Sequence, residues 1–206
     1  MIKQILFDCG GVFVKNHTVE LMEKITGSKE VGEFFMERIY LPDSPWPVLY
    51  DSGAIGKAEC TRRLQELIPS IDPAHIEQYM MEWPEWQYAL PTMDTMVDEL
   101  HALNIPCYLL SNYSCQYEEF RQFVHVLDHM DGEVVSYRTG MVKPDIRIFE
   151  YAAEALKLDP SVTLFVDDKL ENVESARKAG YQAYQFTDPY LFRTFLREQG
   201  INIKGE

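Results

Sequence analysis

The sequence predicts an α/β chain: a parallel sheet with helices on both faces, carrying a small all-helical insertion after its first strand. Three observations predict it. From Pro91 onward, short apolar runs alternate with amphipathic helical stretches, the rhythm of parallel βαβ units. Between Lys15 and Leu90 the periodicity is helical, with no clear strand. Three apolar runs end in polar residues of particular kinds, Asp8, Ser111-Asn112 and Asp167-Asp168. In an open parallel sheet such carboxyl ends share one ligand-binding edge.

The first strand is the run Ile5 to Phe7, which delivers Asp8 into the pair Gly10-Gly11, where the backbone can come close to whatever Asp8 touches. Val19, Met22 and Ile25 then recur at helical spacing up to a stop at Gly27, and Val31, Phe34, Phe35 and Ile39 mark a second helix. Three prolines make Leu41 to Pro47 a loop, after which Ile55 to Ile68 returns to helix. Asp72-Pro73 opens another helix as N-cap and first helical residue, with Ile76, Tyr79 and Met80 inward. Met93, Met96, Val97 and Leu100 form the next stripe, followed by a strand from Pro106 to Leu110 and a stripe of Phe120, Phe123, Val124 and Leu127. A strand at Glu133 to Ser136 precedes a helix begun by Pro144, with Ile148, Tyr151, Ala152 and Ala155 inward. Val162 to Val166 is a β-branched and apolar strand; a helix from Leu170 to Ala179, a short strand near Ala183 to Phe186 and a helix from Tyr190 to Gln199 complete the chain.

The 206 residues suit one domain or a core with a modest insertion, and an apolar share of 46% suffices for a packed interior. Against 33 Asp and Glu there are 19 Lys and Arg, a formal charge of −14, so nucleic acid and anionic membranes are poor partners. An anionic small substrate is repelled as well, and a metal ion or local lysine and backbone donors must reverse the field inside any site that takes one. Cys9, Cys60, Cys107 and Cys115 show no C-x-x-C spacing, and neither a leader nor a long apolar segment precedes the first strand, so a soluble, cytoplasmic chain is expected. Cys9 reads as packing. Monomer and homodimer both remain open.

Each strand-end aspartate, taken alone, suits a helix or turn cap. Together, carboxylates with no basic residue between them suit a hard cation such as Mg²⁺, which takes oxygen ligands and admits a phosphate. Lys143, on the loop before Pro144, supplies a positive charge, and Ser111 a hydroxyl donor.

Four stretches, Phe7-Asp8-Cys9-Gly10-Gly11-Val12, Leu109-Leu110-Ser111-Asn112, Lys143-Pro144-Asp145 with Ile148-Phe149, and Phe165-Val166-Asp167-Asp168 with Glu171-Asn172, resemble the motifs of the haloacid dehalogenase-like hydrolase superfamily. Ser52-Gly53-Ala54-Ile55 is similar to that family's turn into a cap helix. The resemblance implies a Rossmann-like core of residues 1–14 and 91–206 with a helical cap of residues 15–90, and a Mg²⁺-dependent phosphatase acting on a small phosphorylated metabolite. It implies that Asp8 is the nucleophile and forms an aspartyl-phosphate. Ser111, Asn112 and Lys143 would hold phosphoryl oxygens. Asp168, Asp8 and the Gly10 carbonyl would bind Mg²⁺, while Asp167 ligates it or orients a metal water.

Gly10 departs from the family pattern, in which most phosphatases carry a second aspartate that protonates the leaving oxygen, a help worth about 10²–10⁴ in rate. An undemanding leaving group such as that of a sugar 1-phosphate, a substitute such as His17, or slow turnover would each accommodate the loss. A metal-independent 2-haloacid dehalogenase and a catalytically weak binding module are the rival readings; Asp167-Asp168 argues against the first, and the intact Asp8, Lys143 and acidic pair argue against the second. Tyr40, Trp46, Tyr50, Trp83 and Trp86 are aromatic residues of the cap that either face the site or pack within it.

Overall fold

Runs such as Ile5-Leu6-Phe7 and Leu164-Phe165-Val166 put apolar side chains on both faces of a strand, and only a sheet covered on both faces buries them. The computed structural model describes residues 1–204. Its strands are β1 Gln4–Phe7, β2 Val14–Lys15, β3 Tyr88–Ala89, β4 Cys107–Ser111, β5 Gly132–Val135, β6 Thr163–Asp167 and β7 Gln182–Gln185. Five of them form a parallel sheet in the order β5-β4-β1-β6-β7. The helices are α1 Thr18–Thr26, α2 Lys29–Ile39, α3 Lys57–Leu67, α4 Pro73–Glu82, α5 Pro91–Ala102, α6 Tyr117–Phe120, α7 Ser136–Thr139, α8 Ile146–Ala155, α9 Leu170–Lys178 and α10 Pro189–Glu198.

Alternate residues of β1 enter two separate cores. Ile5 and Phe7 join Met93, Met96, Val97 and Leu100 of α5 and Phe192 and Leu196 of α10. Leu6 faces the other way, onto Ile148, Phe149 and Ala152 of α8 and Ala176 of α9. This is the expected α/β architecture, with a Rossmann-like core and a helical insertion. Local chemistry sets the helix starts: Asp72 accepts from Ala74 N at 2.9 Å ahead of Pro73, and Asp188 accepts from Tyr190 N at 2.7 Å ahead of Pro189.

Four expectations are corrected. The stripe from Phe120 to Leu127 is not one helix but α6 and two 3₁₀ turns, broken where Val124 leaves helical backbone (φ −126°, ψ 81°); Phe120, Val124 and Leu127 are still buried, whereas Phe123 is exposed. On α8 the inward face includes Phe149, while Tyr151 and Ala155 are exposed. That helix begins at Ile146, because Asp145 rather than Pro144 supplies the cap, accepting from Arg147 N at 3.0 Å. The insertion is also not free of strand: β2 and β3 pair antiparallel at its two ends, Val14 with Ala89 and Lys15 with Tyr88. The last two positions of the 91–206 segment lie outside the described residues.

Candidate active site

β1 sits between β4 and β6, with Phe7 opposite both Leu109 and Val166. The residues that follow in each strand therefore emerge side by side at the carboxyl edge. Asp8 is held at that height by its backbone N, which donates to Val166 O at 2.8 Å. Its carboxylate is oriented as well. Oδ1 accepts from Cys9 N at 2.7 Å and lies 2.7 Å from Lys143 Nζ, while Oδ2 makes none of the described hydrogen bonds.

Lys143 reaches the same point from the loop between α7 and α8. Besides this ion pair with Asp8, its ammonium donates to Asp167 Oδ2 at 2.8 Å and to Leu110 O at 2.9 Å. The lysine is 4% exposed and Asp8 7%. Its backbone is clamped by Asn112, whose Oδ1 accepts from Lys143 N at 2.8 Å and whose Nδ2 donates to Lys143 O at 2.9 Å. The Asn112 side chain thus holds the Lys143 backbone with its Oδ1 and one N–H of its amide, which leaves the second N–H as a donor. Ser111 ends β4, 1% exposed, and its hydroxyl makes none of the described hydrogen bonds.

The two acidic residues after β6 differ in how they are used. Asp167 is fully buried and saturated: Lys169 N and Asn172 Nδ2 donate to Oδ1 at 2.8 and 3.0 Å, and Lys143 and Asn172 to Oδ2. Asp168 Oδ1 is buried with no hydrogen-bond partner among the described residues. A Cβ at Gly11, whose φ is +75°, would come within 2.5 Å of Asp168 Cγ, so only glycine lets this carboxylate approach.

Ligand atoms of Asp8, Asp167 and Asp168 lie within 4.8 Å of one another, the one such group of His, Cys, Asp or Glu among the described residues. Three carboxylates against one ammonium leave two negative charges in excess. The electrostatics register that excess. Burial pushes Asp8 well above the ordinary carboxylate range against the pull of Lys143, and burial and then Asp167 raise Asp168. Burial works against the Lys143 ammonium, yet Asp167 and Asp8 hold it above the usual lysine value. An orphaned buried carboxylate oxygen, an all-oxygen donor set and a doubly negative cluster fit a divalent hard cation.

The remaining sequence candidates fall outside this cluster. The buried Cys9 thiol is pushed up by its burial and by Asp8, which leaves it a packing residue. His17 lies 3.4 Å from Glu20 and edge-on to Tyr88. Trp46, Tyr50 and Trp83 are buried and packed edge to face, and Trp83 meets Tyr113 of the core at 5.1 Å. Trp86 lies under Lys24. The Tyr40 hydroxyl accepts from Asn16 Nδ2 at 2.8 Å. An open cleft of about 430 Å³ is lined by Pro42, Val48, Arg63 and their neighbours and includes no strand-end residue. One residue that the motifs did not single out is Asp51, a carboxyl raised to about 8 by burial in spite of Lys169. Its position one residue before Ser52-Gly53 was the available signal.

Among known proteins, the chain is 26% identical over 198 residues to a sesquiterpene phosphatase of Aspergillus oryzae, 95% of each chain. It is 24% identical over 200 residues to a D-ribitol-5-phosphate phosphatase of Bacteroides thetaiotaomicron, 90% of this chain and 92% of that one. A HAD family enzyme from the same bacterium, solved in complex with magnesium and inorganic phosphate, has a TM-score of 0.71 and 25% identity, covering 94% of this chain and 100% of that one. The family match itself runs over residues 2–180, from the first strand through the helix after Asp167-Asp168, and so takes in every strand-end group described above: the chain belongs to the haloacid dehalogenase-like hydrolase family.

Proposed function

We propose that the protein is a Mg²⁺-dependent phosphatase that hydrolyses a small phosphorylated metabolite through an aspartyl-phosphate on Asp8. The observation that carries this reading is the doubly negative cluster with the orphaned Asp168 Oδ1. An enzyme that attacks carbon without a metal has no need of that arrangement, and a binding module has no reason to keep such mutually costly charges together. Two relatives named as phosphatases and a structural neighbour that holds magnesium and phosphate support it. In this reading residues 1–14 and 91–206 carry the phosphoryl chemistry, and residues 15–90 form the cap above it.

Asp168, Asp8 and the Gly10 carbonyl would hold the ion, with Asp167 positioning Lys143 and the ion's surroundings. Bound there, Mg²⁺ supplies positive charge that neutralises the excess and draws in the phosphoryl group. The chain's own groups do the rest. Asp8, oriented by Cys9 N and Lys143, attacks phosphorus; the ester P–O bond breaks and the leaving oxygen takes its proton from solvent, since Gly10 has none to give. As the Asp8 charge moves onto the phosphoryl oxygens, Lys143 follows it, and Ser111 donates its hydroxyl. Water then attacks the phosphorus of the aspartyl-phosphate, releasing phosphate and restoring Asp8.

The two relatives named as phosphatases carry very different alcohols, a sesquiterpene and ribitol. A sugar or polyol phosphate is the substrate class proposed for this chain. Phosphate release from a panel of esters, repeated with chelator and with Asp8→Asn, is the test. Release that vanishes in both controls supports the reading; chloride release from a 2-haloacid without metal overturns it.

A further inference from the structure

Lys143 carries its charge on a flexible four-carbon stem, so an ammonium fixed beside Asp8 needs a backbone that is fixed as well. The turn that carries it, between α7 and α8, is closed by Asp145 N, which donates to Val142 O at 3.0 Å, and Asp145 then caps α8. Asn112 holds this turn from the β4 side, at Lys143 N and O. On the other side stands α9. Pro144 has no N–H, so its carbonyl is its one backbone hydrogen-bonding group, and Ser175 Oγ donates to it at 2.5 Å.

Ser175 lies on the inward face of α9 with Asn172, Val173 and Ala176 and is 7% exposed. Inside a helix a serine is a weaker helix former than alanine, and its hydroxyl commonly turns back to a carbonyl of its own helix. Here the hydroxyl leaves α9 and crosses to the lysine turn, 31 positions away in the chain. Asn172 is one turn before Ser175 on the same face, and its Nδ2 donates to both carboxylate oxygens of Asp167. Asp167 in turn accepts from the Lys143 ammonium at 2.8 Å. α9 therefore holds Lys143 at both ends, the head through Asn172 and Asp167 and the backbone through Ser175.

We propose that Ser175 is a positioning residue of this hydrolase: its bond to Pro144 O sets the height of the lysine turn, so that the ammonium meets Asp8 at rest and the phosphoryl group during attack. Without the hydroxyl, Pro144 O loses its one described hydrogen bond, and side chains pin the turn from the β4 side alone. For the chemistry that Lys143 performs, this rests on the phosphatase reading; the hold on the turn does not depend on turnover.

The test compares wild type, Ser175→Ala and a control, Tyr181→Phe. The control removes a bond of the same kind farther along α8, from the Tyr181 hydroxyl to Phe149 O at 2.9 Å. The first readout is the exchange of the Lys143 ammonium protons with water, followed by nitrogen-15 NMR of lysine side chains. Lys143 is the only buried lysine among the described residues, and its signal is identified by its loss in Lys143→Met. Exchange is expected to rise about 5-fold in Ser175→Ala, the factor that one net hydrogen bond represents, and to stay at the wild-type rate in Tyr181→Phe. The second readout is phosphate release with Mg²⁺ from p-nitrophenyl phosphate and a pentitol phosphate. In Ser175→Ala kcat is expected to fall about 10-fold with KM changed less than about 2-fold, because a misplaced lysine costs the transition state more than the bound ester. Exchange that is unchanged in Ser175→Ala, or that rises equally in Tyr181→Phe, overturns the proposal. So does a kcat that Ser175→Ala leaves unchanged or that both variants lower equally. Faster exchange in Ser175→Ala, in a protein that hydrolyses no ester, supports the hold on Lys143 and counts against the phosphatase reading alone.

Discussion

Gly10 can be given back the carboxyl that most phosphatases of this family carry. A Cβ built at Gly10 meets no atom within 4 Å, and its φ lies outside the left-handed region, so Gly10→Asp adds a side chain without clash or backbone strain. The new carboxyl stands two residues after Asp8 on the glycine turn that follows β1, and as a proton donor it acts in its protonated form. General acid help of about 10²–10⁴ corresponds to about 3–5 kcal/mol of barrier. The gain should depend on the alcohol. A pentitol phosphate, whose alkoxide leaves poorly, should show most of it, whereas p-nitrophenolate leaves unaided and should show little. Steady-state phosphate release from both esters, at saturating Mg²⁺, reads the difference. Equal effects on the two esters, or no gain on the pentitol ester in a variant that still folds and binds Mg²⁺, would refute the view that Gly10 marks a missing acid.

Two further outcomes follow from the same charges. Mg²⁺ at 100 times its Kd should stabilise the protein by about 2.7 kcal/mol, a rise in Tm that chelator reverses, and Asp168→Asn should abolish the rise because the orphaned oxygen is the ligand the ion completes. Asp51, raised from 3.8 to about 8, binds its proton more tightly folded than unfolded. Its contribution to stability is therefore present below about pH 4 and is lost as pH climbs toward 8, so the urea midpoint of wild type minus that of Asp51→Asn should decline across that window and level off above it. A flat difference would show that the carboxyl is not held in a poor solvent environment.

The parallel sheet and its catalytic edge were legible because both are written locally. An apolar run that ends in Asp or Ser-Asn needs no partner to be recognised, and parallel strands bring such ends together whatever lies between them. What sequence could not show is how each group is used. Asn112 and Ser111 are neighbours in the same motif, yet the carboxamide holds both backbone groups of Lys143 while the hydroxyl makes none of the described hydrogen bonds. Asp167 and Asp168 are adjacent and chemically identical, and only the positions of Lys143, Lys169 and Asn172 make one saturated and the other an orphan. Tyr151 was misplaced for a simpler reason: α8 buries Ile148 and Phe149 together, which rotates its inward face away from the residue at i+3. Asp51 was missed because the group that holds its carbonyl, the Ser136 hydroxyl of α7, is 85 residues away in the chain.

Lys143 links stability to chemistry in this site. Its ammonium donates to Asp167 Oδ2 and Leu110 O and pairs with the Asp8 carboxylate, so in the proposed mechanism a phosphoryl oxygen that it meets competes with Asp8 for it. Asp8 is the partner whose hold weakens at the right moment, because its negative charge is consumed as its oxygen bonds to phosphorus. Asp167 and Leu110 O keep the ammonium in place throughout, and Asn112 keeps its backbone from retreating. In the proposed mechanism the buried pair that looks like a structural salt bridge at rest hands the ammonium from the nucleophile to the group it attacks, while its contacts to Asp167 and Leu110 O persist.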